Sequence, residues 1–583
     1  MEQVKTFYRR YRWLFLAAAY LVVFAVGVLY LRVTISIPPE GDDKLTLNRW
    51  MYDFQRMPFW QYLLQDLQGR LRYFTLQEVR FFPFHYPNAV ALLFYGSLSH
   101  YRLYIIAWTG AAAFLVSRVA ARFGSGDALA LGGFTLAMAV APIWNEGMYS
   151  YYAVPQRALF WAMAAWLCLF GWEKSHRRGW AAAAALLSFV ACGTYEIGYM
   201  FAALAFVVWC LRARSVKAGL FNTAPVLGGM GVALIFHMLC GRSGGTGNEV
   251  SLDIPQVLRV LVQQMAASIP GLNSRILQED CGVLSNGDRL WPLVLGMLAG
   301  LLLFFAVPRE KLNRKMLGAA AGFGLAVWAL PALLLALSAR YQAPGAITWK
   351  WGYIPAAASS IGFALVVAVL LAALAGACRK LPQILSILAR LGLTAALVAG
   401  LCLNGSYLRG VVRTHHAENL DNYQFFVRTI QSGLADAVQP GDLILCNENV
   451  WDSNADAETA FFSRFTGRDL HAAVLGTTYD APAGNTYAYQ TYRKYGGYDL
   501  AWCGRLQSAD SDLMDGVQVY VQSACVPDNA VIKYKVRLAD GTEEARAICL
   551  LDCTQTPRDA NGDYLATVED SGIVNAKLMI WDG

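Results

Sequence analysis

Eleven apolar segments, separated by charged or aromatic connections, set the pattern of hydrophobic and polar positions along this chain. A membrane-spanning helix needs about 20 predominantly apolar residues, and these segments reach or approach that length. The pattern therefore predicts an α-helical polytopic membrane protein with about eleven spans. The predicted spans cover residues 13–35, 102–121, 127–144, 156–172, 179–196, 197–211, 218–239, 290–307, 317–338, 355–377 and 384–404.

The charges in the connections alternate along the chain. Lys and Arg collect at the N-terminus and after the second, fourth, sixth, eighth and tenth segments. By the positive-inside rule these connections are cytoplasmic, so the N-terminus is inside and the chain after about residue 405 is outside. We therefore predict a transmembrane domain over residues 1–405 and an extracytoplasmic domain over residues 406–583, in the plasma membrane.

Two exterior regions carry further structure. In the first loop, Trp50, Met51 and Phe54 precede Pro58, and a second apolar-aromatic run follows it. This pattern predicts short amphipathic helices lying on the membrane surface. In the tail, apolar residues at helical spacing over 420–438, several alternating runs and the Asp540-Gly541 turn predict a small α/β domain.

The composition agrees with the prediction of a membrane protein. The chain is 56% hydrophobic and 15% charged, with a mean hydropathy of +0.37, as expected for a membrane protein. The net charge of +7 does not indicate nucleic-acid binding, because much of the excess lies in short connections. The long first apolar segment lacks a clear small-residue cleavage site, which favours an uncleaved span over a signal peptide.

The acidic pair Asp42-Asp43 is the first candidate for chemistry. It follows the first span directly, behind two prolines and Gly41, which direct the chain at the span exit. A carboxylate there can take a proton from an acceptor hydroxyl. The ordinary alternative is a solvated loop with two charges, which the residues alone favour.

Other candidates lie at predicted outer span ends. Aromatic rings beside an acid suit a sugar ring, and Arg or Lys at the lipid boundary can bind a lipid phosphate. An interfacial aromatic belt, structural pairing and snorkelling are the ordinary alternatives. The candidate substrate-binding residues are Glu146, Tyr149, Tyr152, Arg157, Glu196, Arg70, Arg340, Tyr341, Lys350 and Trp351.

Several motifs are missing from the sequence. It contains no GxGxxG, Walker or GxSxG motif. Neither acidic loop in the tail matches a calcium-binding loop, and Cys549 and Cys553 have no nearby His to complete a zinc site. We predict no cofactor, and no clean motif supports a divalent metal. Five tail cysteines have no spacing that fixes a disulfide pairing.

Taken together, the arrangement resembles the GT-C superfamily of integral-membrane glycosyltransferases, which use polyprenyl-phosphate sugars as donors. Within it, the likeness is to bacterial O-antigen and cell-wall glucosyltransferase-type members. The shared features cover about the first 405 residues, and the tail resembles no family. They are an N-in first span, the early acidic pair, surface helices in a long first loop, Gly69-Arg70, Tyr195-Glu196 and an exterior C-terminal domain.

The resemblance implies a function and roles for residues. The family's first-loop aspartate maps onto Asp42 or Asp43, and its second exterior acid onto Glu146 or Glu196. The sequence has no clean Asp-x-Asp there, so metal dependence stays open. The implied reaction is an inverting hexosyl transfer from a polyprenyl-phosphate sugar to a glycan or lipid-linked acceptor. A lipid-sugar synthase and a flippase are implied partners.

Three other functions remain open. An envelope polysaccharide polymerase or ligase also has about a dozen spans, but typically relies on outer-loop arginines and a histidine. A transporter is less favoured, because the notable polar residues cluster at span ends and no inverted repeat is visible. A catalytically inactive binding protein on the same scaffold is the third alternative.

Overall fold

The structure is a computed structural model. It describes residues 2–41, 43–58, 60–61, 64–65, 68, 98–240, 250–270, 289–310, 312–347, 352–447, 454–479, 482–495, 498–522, 531–549, 563–575 and 579–581. These residues form two compact units. The first unit contains residues 1–37 and 63–415, and the second contains residues 38–62 and 416–583.

Helices build the first unit. Its N-terminal half contains α1 (Glu2–Leu31), α3 (Leu98–Ala120), α4 (Asp127–Ala139), α5 (Val154–Ser175), α6 (Arg178–Thr194), α7 (Ile197–Ala213) and α8 (Val216–Cys240). Its C-terminal half contains α9 (Ile254–Ala267), α10 (Leu290–Gly300), α11 (Arg314–Ala336), α12 (Ala339–Gln342), α13 (Ala356–Cys378) and the first part of α14 (Gln383–Gln431). The helix α2 (Asp43–Arg56) belongs to the second unit.

The prediction of a multi-pass membrane protein is confirmed. Eight helices in the described part of the chain are long and apolar enough to cross a membrane. Three further predicted spans coincide with the shorter helices α4, α6 and α7, so the total of eleven spans stays a prediction. The eight are Tyr11–Ser36, Leu98–Gly124, Tyr151–Ser175, Val216–Met238, Leu290–Glu310, Arg314–Ala336, Ala356–Cys378 and Gln383–Gln431.

Basic and acidic side chains join several helix ends in the first unit. Asp127, at the start of α4, accepts hydrogen bonds from Arg12 Nη2 at 2.6 Å and from Arg118 Nη1 at 2.9 Å. Glu310 accepts a bond from the backbone of Ala128 at 2.7 Å. These contacts bring together the start of α1, the end of α3 and the start of α4. The side of the membrane that these helix ends face stays a prediction.

The second unit contains one mixed sheet. Its strands are β1 (Leu443–Cys446), β2 (His471–Val474), β3 (Thr486–Tyr495), β4 (Tyr498–Leu506), β5 (Leu513–Val521), β6 (Val531–Arg537), β7 (Glu543–Cys549), β8 (Tyr564–Val574) and β9 (Met579–Trp581). They lie in the order β2-β1-β3-β4-β5-β8-β6-β7, with β9 beside β6. The strands β2, β1 and β3 are parallel, and the other neighbours are antiparallel. The predicted α/β tail is confirmed.

Both faces of this sheet are covered by apolar side chains. Alternation along β1 sends Leu443 and Leu445 into one buried cluster and Ile444 and Cys446 into the other. The second cluster contains side chains from the end of α14 and from α15 (Ala455–Thr466). Its α14 members follow the helical spacing seen in the sequence, namely Phe426 and Ile430.

The first-loop helix α2 packs against α15 inside the second unit. Its residues Leu47, Trp50 and Met51 are buried there. The predicted helix is therefore present, but its apolar face is covered by protein rather than lying on a membrane surface. A pattern of apolar residues on one helix face predicts burial without specifying what covers it, which explains the difference.

Candidate functional site

Side-chain hydrogen bonds hold the connection between α4 and α5. The Asn145 side chain accepts a hydrogen bond from Gly147 N at 3.0 Å and donates one to Tyr353 O at 3.3 Å. Gln156 Nε2 donates to Gly147 O at 2.6 Å. A Cβ atom at Gly147 would lie 2.3 Å from Ile354 O, so this backbone approach needs glycine.

Three consecutive residues of this loop have left-handed backbone angles. The φ angles are 60° at Tyr151, 55° at Tyr152 and 54° at Ala153. A non-glycine residue in this region costs about 1–3 kcal/mol, and such strain concentrates at functional sites. The strain is retained because contacts fix the loop, including the bond that Tyr152 N donates to Tyr101 Oη at 3.0 Å.

Two arginines are buried beside this loop. Arg102 is 0% exposed and Arg157 is 2% exposed. Arg102 Nη2 donates to Ile37 O at 3.1 Å, and its guanidinium carbon lies 5.8 Å from the centre of the Tyr149 ring. The guanidinium carbon of Arg157 lies 5.9 Å from the centre of the Trp108 ring. Buried cations in a membrane-protein bundle are costly and usually functional.

An acid and several phenols meet at the start of α13. The rings of Tyr341 and Tyr353 lie 4.9 Å apart. Burial raises the pKa of the Tyr353 phenol, and a hydrogen bond with Tyr341 and the nearby acidic groups of Tyr151 and Glu146 raise the pKa further. Gln264 fixes the Tyr353 backbone by two hydrogen bonds of 2.9 Å. Tyr353 therefore stays a neutral hydroxyl beside the Glu146 carboxylate.

The structure therefore brings several predicted residues into one neighbourhood, here called the loop cluster. Arginine groups can hold an anion, while the carboxylate and phenols can hydrogen-bond hydroxyl groups beside aromatic faces. The loop cluster consists of Tyr101, Arg102, Asn145, Glu146, Tyr149, Tyr151, Tyr152, Arg157, Tyr341 and Tyr353.

The other predicted residues are not members of the loop cluster. Arg340 is exposed on α12 and lies beside the cluster, with its guanidinium carbon 5.7 Å from the centre of the Tyr341 ring. Glu196 lies in the turn between α6 and α7. Asp43 is fully buried in the first turn of α2, in the second unit. Four predicted site residues lie outside the described residues: Asp42, Arg70, Lys350 and Trp351.

Sequence reasoning missed the contribution of Tyr101 and Arg102. The charge of Arg102 at the start of a predicted span was a visible signal, because an arginine at that depth needs a partner or a role. Its bond to Ile37 O and its position over Tyr149 join segments far apart in sequence, which no local pattern reveals.

No group of three His, Cys, Asp or Glu side chains suited to hold a metal ion lies among the described residues. Comparison with protein-family models finds no match for the chain, and comparison with curated proteins finds none either. The function must therefore be argued from the loop cluster and the sequence.

Proposed function

We propose that this protein is a membrane glycosyltransferase that moves a sugar from a polyprenyl-phosphate donor to an extracytoplasmic glycan or lipid-linked acceptor. The observation that carries the proposal is the burial of Arg102 and Arg157 beside an aromatic, acidic loop at the ends of membrane helices. This arrangement suits a substrate whose phosphate is attached to a lipid and whose sugar projects from the membrane.

The arginines support a role in binding the donor phosphate. Guanidinium groups bind phosphate through directed, charge-assisted hydrogen bonds. Arg157 lies in the first turns of α5, directly after the strained residues Tyr151–Ala153. A donor phosphate that reaches this helix end would meet a positive charge that is already fixed in place. That charge would stabilise the negative charge that develops on the leaving phosphate without reorganisation of the protein.

The acid and phenols support a role in holding the sugar or the acceptor. The Tyr353 phenol stays protonated because burial raises its pKa, so it can donate a hydrogen bond to a sugar oxygen. Glu146 accepts hydrogen bonds from hydroxyl groups, and neighbouring tyrosine rings offer flat apolar faces. Sugar recognition needs this combination of flat faces and polar rims.

In the proposed reaction, a carboxylate of the Asp42-Asp43 pair takes the proton of the acceptor hydroxyl as its oxygen attacks the anomeric carbon. The bond between that carbon and the phosphate oxygen breaks, and its electron pair stays on the lipid phosphate. One displacement inverts the anomeric configuration. The alternating charges of the connections support an extracytoplasmic location for this chemistry.

A glycan comparison tests the proposal. A deletion strain of the native host is complemented with the wild-type gene or with Asp42→Asn, Asp43→Asn or Arg157→Met variants, and envelope glycans are analysed by mass spectrometry. We expect one sugar residue to disappear on deletion and to return with the wild-type protein. Arg157→Met and at least one aspartate variant should fail to restore it.

The matched control is Arg314→Met, which removes an exposed arginine at the start of α11. It should restore the sugar fully, and immunoblots should show equal amounts of every variant in the membrane. Restoration by Asp42→Asn, Asp43→Asn and Arg157→Met alike would refute the proposed site. A change in polysaccharide chain length without loss of a sugar would favour the polymerase alternative.

A further inference from the structure

The first-loop segment 38–62 belongs to the same compact unit as the C-terminal sheet. Hydrogen bonds connect residues that are separated by 376 and 416 positions in sequence. The segment carries Asp43, the described member of the proposed acidic pair. The contacts of this segment therefore indicate what the second unit contributes to the transfer reaction.

Two anchors lie on either side of Asp43. On the N-terminal side, Glu40 Oε1 lies 2.6 Å from His416 Nδ1 and accepts a hydrogen bond from Asn419 Nδ2 at 2.9 Å. On the C-terminal side, Asn48 Oδ1 accepts a hydrogen bond from Arg464 Nη1 at 2.5 Å. Side chains from the second half of α14 and from α15 thus hold both flanks of the acidic pair.

Each anchor contains one buried side chain. Asn48 is fully buried and His416 is buried, whereas Asn419 is exposed. Polar groups removed from water cost stability unless they are hydrogen-bonded, so the bonds of Asn48 and His416 specify one position of the segment. A peripheral ion pair, Arg56 with Asp469 at 3.9 Å, lies on exposed side chains and contributes little.

The backbone around Asp43 links these anchors to the carboxylate. Asp43 N donates to Glu40 O at 3.1 Å, and Lys44 N donates to Gly41 O at 3.1 Å. Gly41 has a φ of 54°, which permits this tight turn. A shift of Glu40 is therefore transmitted directly to the first turn of α2.

We propose that α15 and the second half of α14 position Asp43 of the first loop, with Arg464, His416 and Asn419 acting as positioning residues through Asn48 and Glu40. This role rests on the proposed function, because it assigns the anchors to the geometry of the transfer reaction. Catalysis depends on holding the base within hydrogen-bond reach of the acceptor hydroxyl, which these anchors would secure.

Hydrogen exchange and kinetics on the full-length protein test this role. The variants are Asn48→Ala, Arg464→Met, the double variant, and Glu40→Gln. We expect exchange of the amides of residues 43–56 to rise at least tenfold in Asn48→Ala. Turnover should fall at least tenfold while KM for the polyprenyl-phosphate sugar stays within twofold. The effect of the double variant should be smaller than the two single effects combined, because both changes remove the Asn48–Arg464 bond. Asn48→Ala also removes the bond that Asn48 Nδ2 donates to Lys44 O at 2.5 Å.

Arg468→Met provides a matched control in the same unit. Arg468 donates to Val438 O at 2.5 Å and to Ala435 O at 2.8 Å, and neither bond involves a residue of the first-loop segment. This variant should lose stability without raising exchange in residues 43–56 or lowering the turnover of the folded fraction. An equal fall in turnover in Arg468→Met would overturn the positioning role.

Hydrogen exchange tests the docking of the first-loop segment, and sugar transfer tests the proposed function. Unchanged exchange in residues 43–56 of both Asn48→Ala and Arg464→Met would overturn the docking of the segment. Protected exchange in a wild-type protein that transfers no sugar would instead overturn the proposed function and leave the docking confirmed. Asn48→Ala is the decisive variant if Arg464→Met does not fold.

Discussion

Substitution of Gly147 by alanine tests whether the loop cluster is held as described. The added Cβ would lie 2.3 Å from Ile354 O and 3.0 Å from both Ala357 Cβ and Asn145 Oδ1. A carbon and a carbonyl oxygen normally stay above about 3.0 Å apart, so the loop and the start of α13 must separate. Ile354 O, the nearest atom, belongs to the backbone of a buried residue, so no flexible side chain can move aside to relieve this contact.

The energetic cost follows from the same contacts. Overpacking a filled interior costs about 1–3 kcal/mol. The separation also strains the hydrogen bonds of Gly147 with Asn145 and Gln156, each with a net contribution of about 1 kcal/mol. We therefore expect Gly147→Ala to lower the stability of the first unit by about 3–5 kcal/mol, the sum of the overpacking cost and of the two hydrogen bonds.

Thermal unfolding of the purified protein in detergent micelles measures this effect. The matched control is Gly231→Ala in α8, where no heavy atom lies within 4 Å of the added Cβ. Alanine is favoured over glycine inside a helix by about 0.5–1 kcal/mol, so the control should keep or raise Tm. A Gly147→Ala protein as stable as the control would refute the packing of the 145–157 loop against α13.

Three further predictions concern the second unit. Burial raises the pKa of the Cys503 thiol to about 12 and raises that of Cys446 well above its ordinary value. Both thiols should therefore resist alkylation at pH 8 until denaturant unfolds the unit, as measured by mass spectrometry. Rapid labelling of the folded protein would contradict this prediction. Removing the buried hydroxyl that bonds Thr429, in Tyr489→Phe, should cost about 0.5–1.5 kcal/mol in denaturant titrations, because one hydrogen bond is lost; an unchanged midpoint would contradict it. The bond from Tyr534 and the contact with an arginine lower the pKa of Asp570, so their stabilisation is present above the ordinary carboxyl pKa and is lost as pH falls through the lowered value. Thermal melts should therefore show Asp570→Asn less stable than wild type at pH 7, with the difference closing toward pH 3; a gap independent of pH would refute the assignment.

Much of the fold could be predicted from the sequence, because membrane helices and alternating strands leave local patterns. The long apolar runs give the spans, and alternation around Leu443 and Val517 gives the strands of the tail. The location of α2 could not be predicted. Its apolar residues indicate a buried face, but only long-range contacts, such as the packing against α15 and the bond between Asn48 and Arg464, show that protein covers it.

The candidate site was predictable only in part. Aromatic and acidic residues near Glu146 mark the loop in the sequence, and the buried Arg157 was found from its place at a span end. The left-handed angles at Tyr152, the position of Arg102 and the approach of Gly147 to Ile354 depend on tertiary packing. Residue type and spacing carry no information on such contacts.

The central claim is tested most directly by sugar transfer in a purified system. Full-length protein is reconstituted in lipid vesicles with polyprenyl-phosphate hexoses labelled in the sugar, together with envelope acceptor extracted from the deletion strain. The account predicts that one donor is consumed, that the label appears on the acceptor with inverted anomeric configuration, and that Arg157→Met abolishes the transfer. Failure of the wild-type protein to consume any donor in the panel would contradict the account.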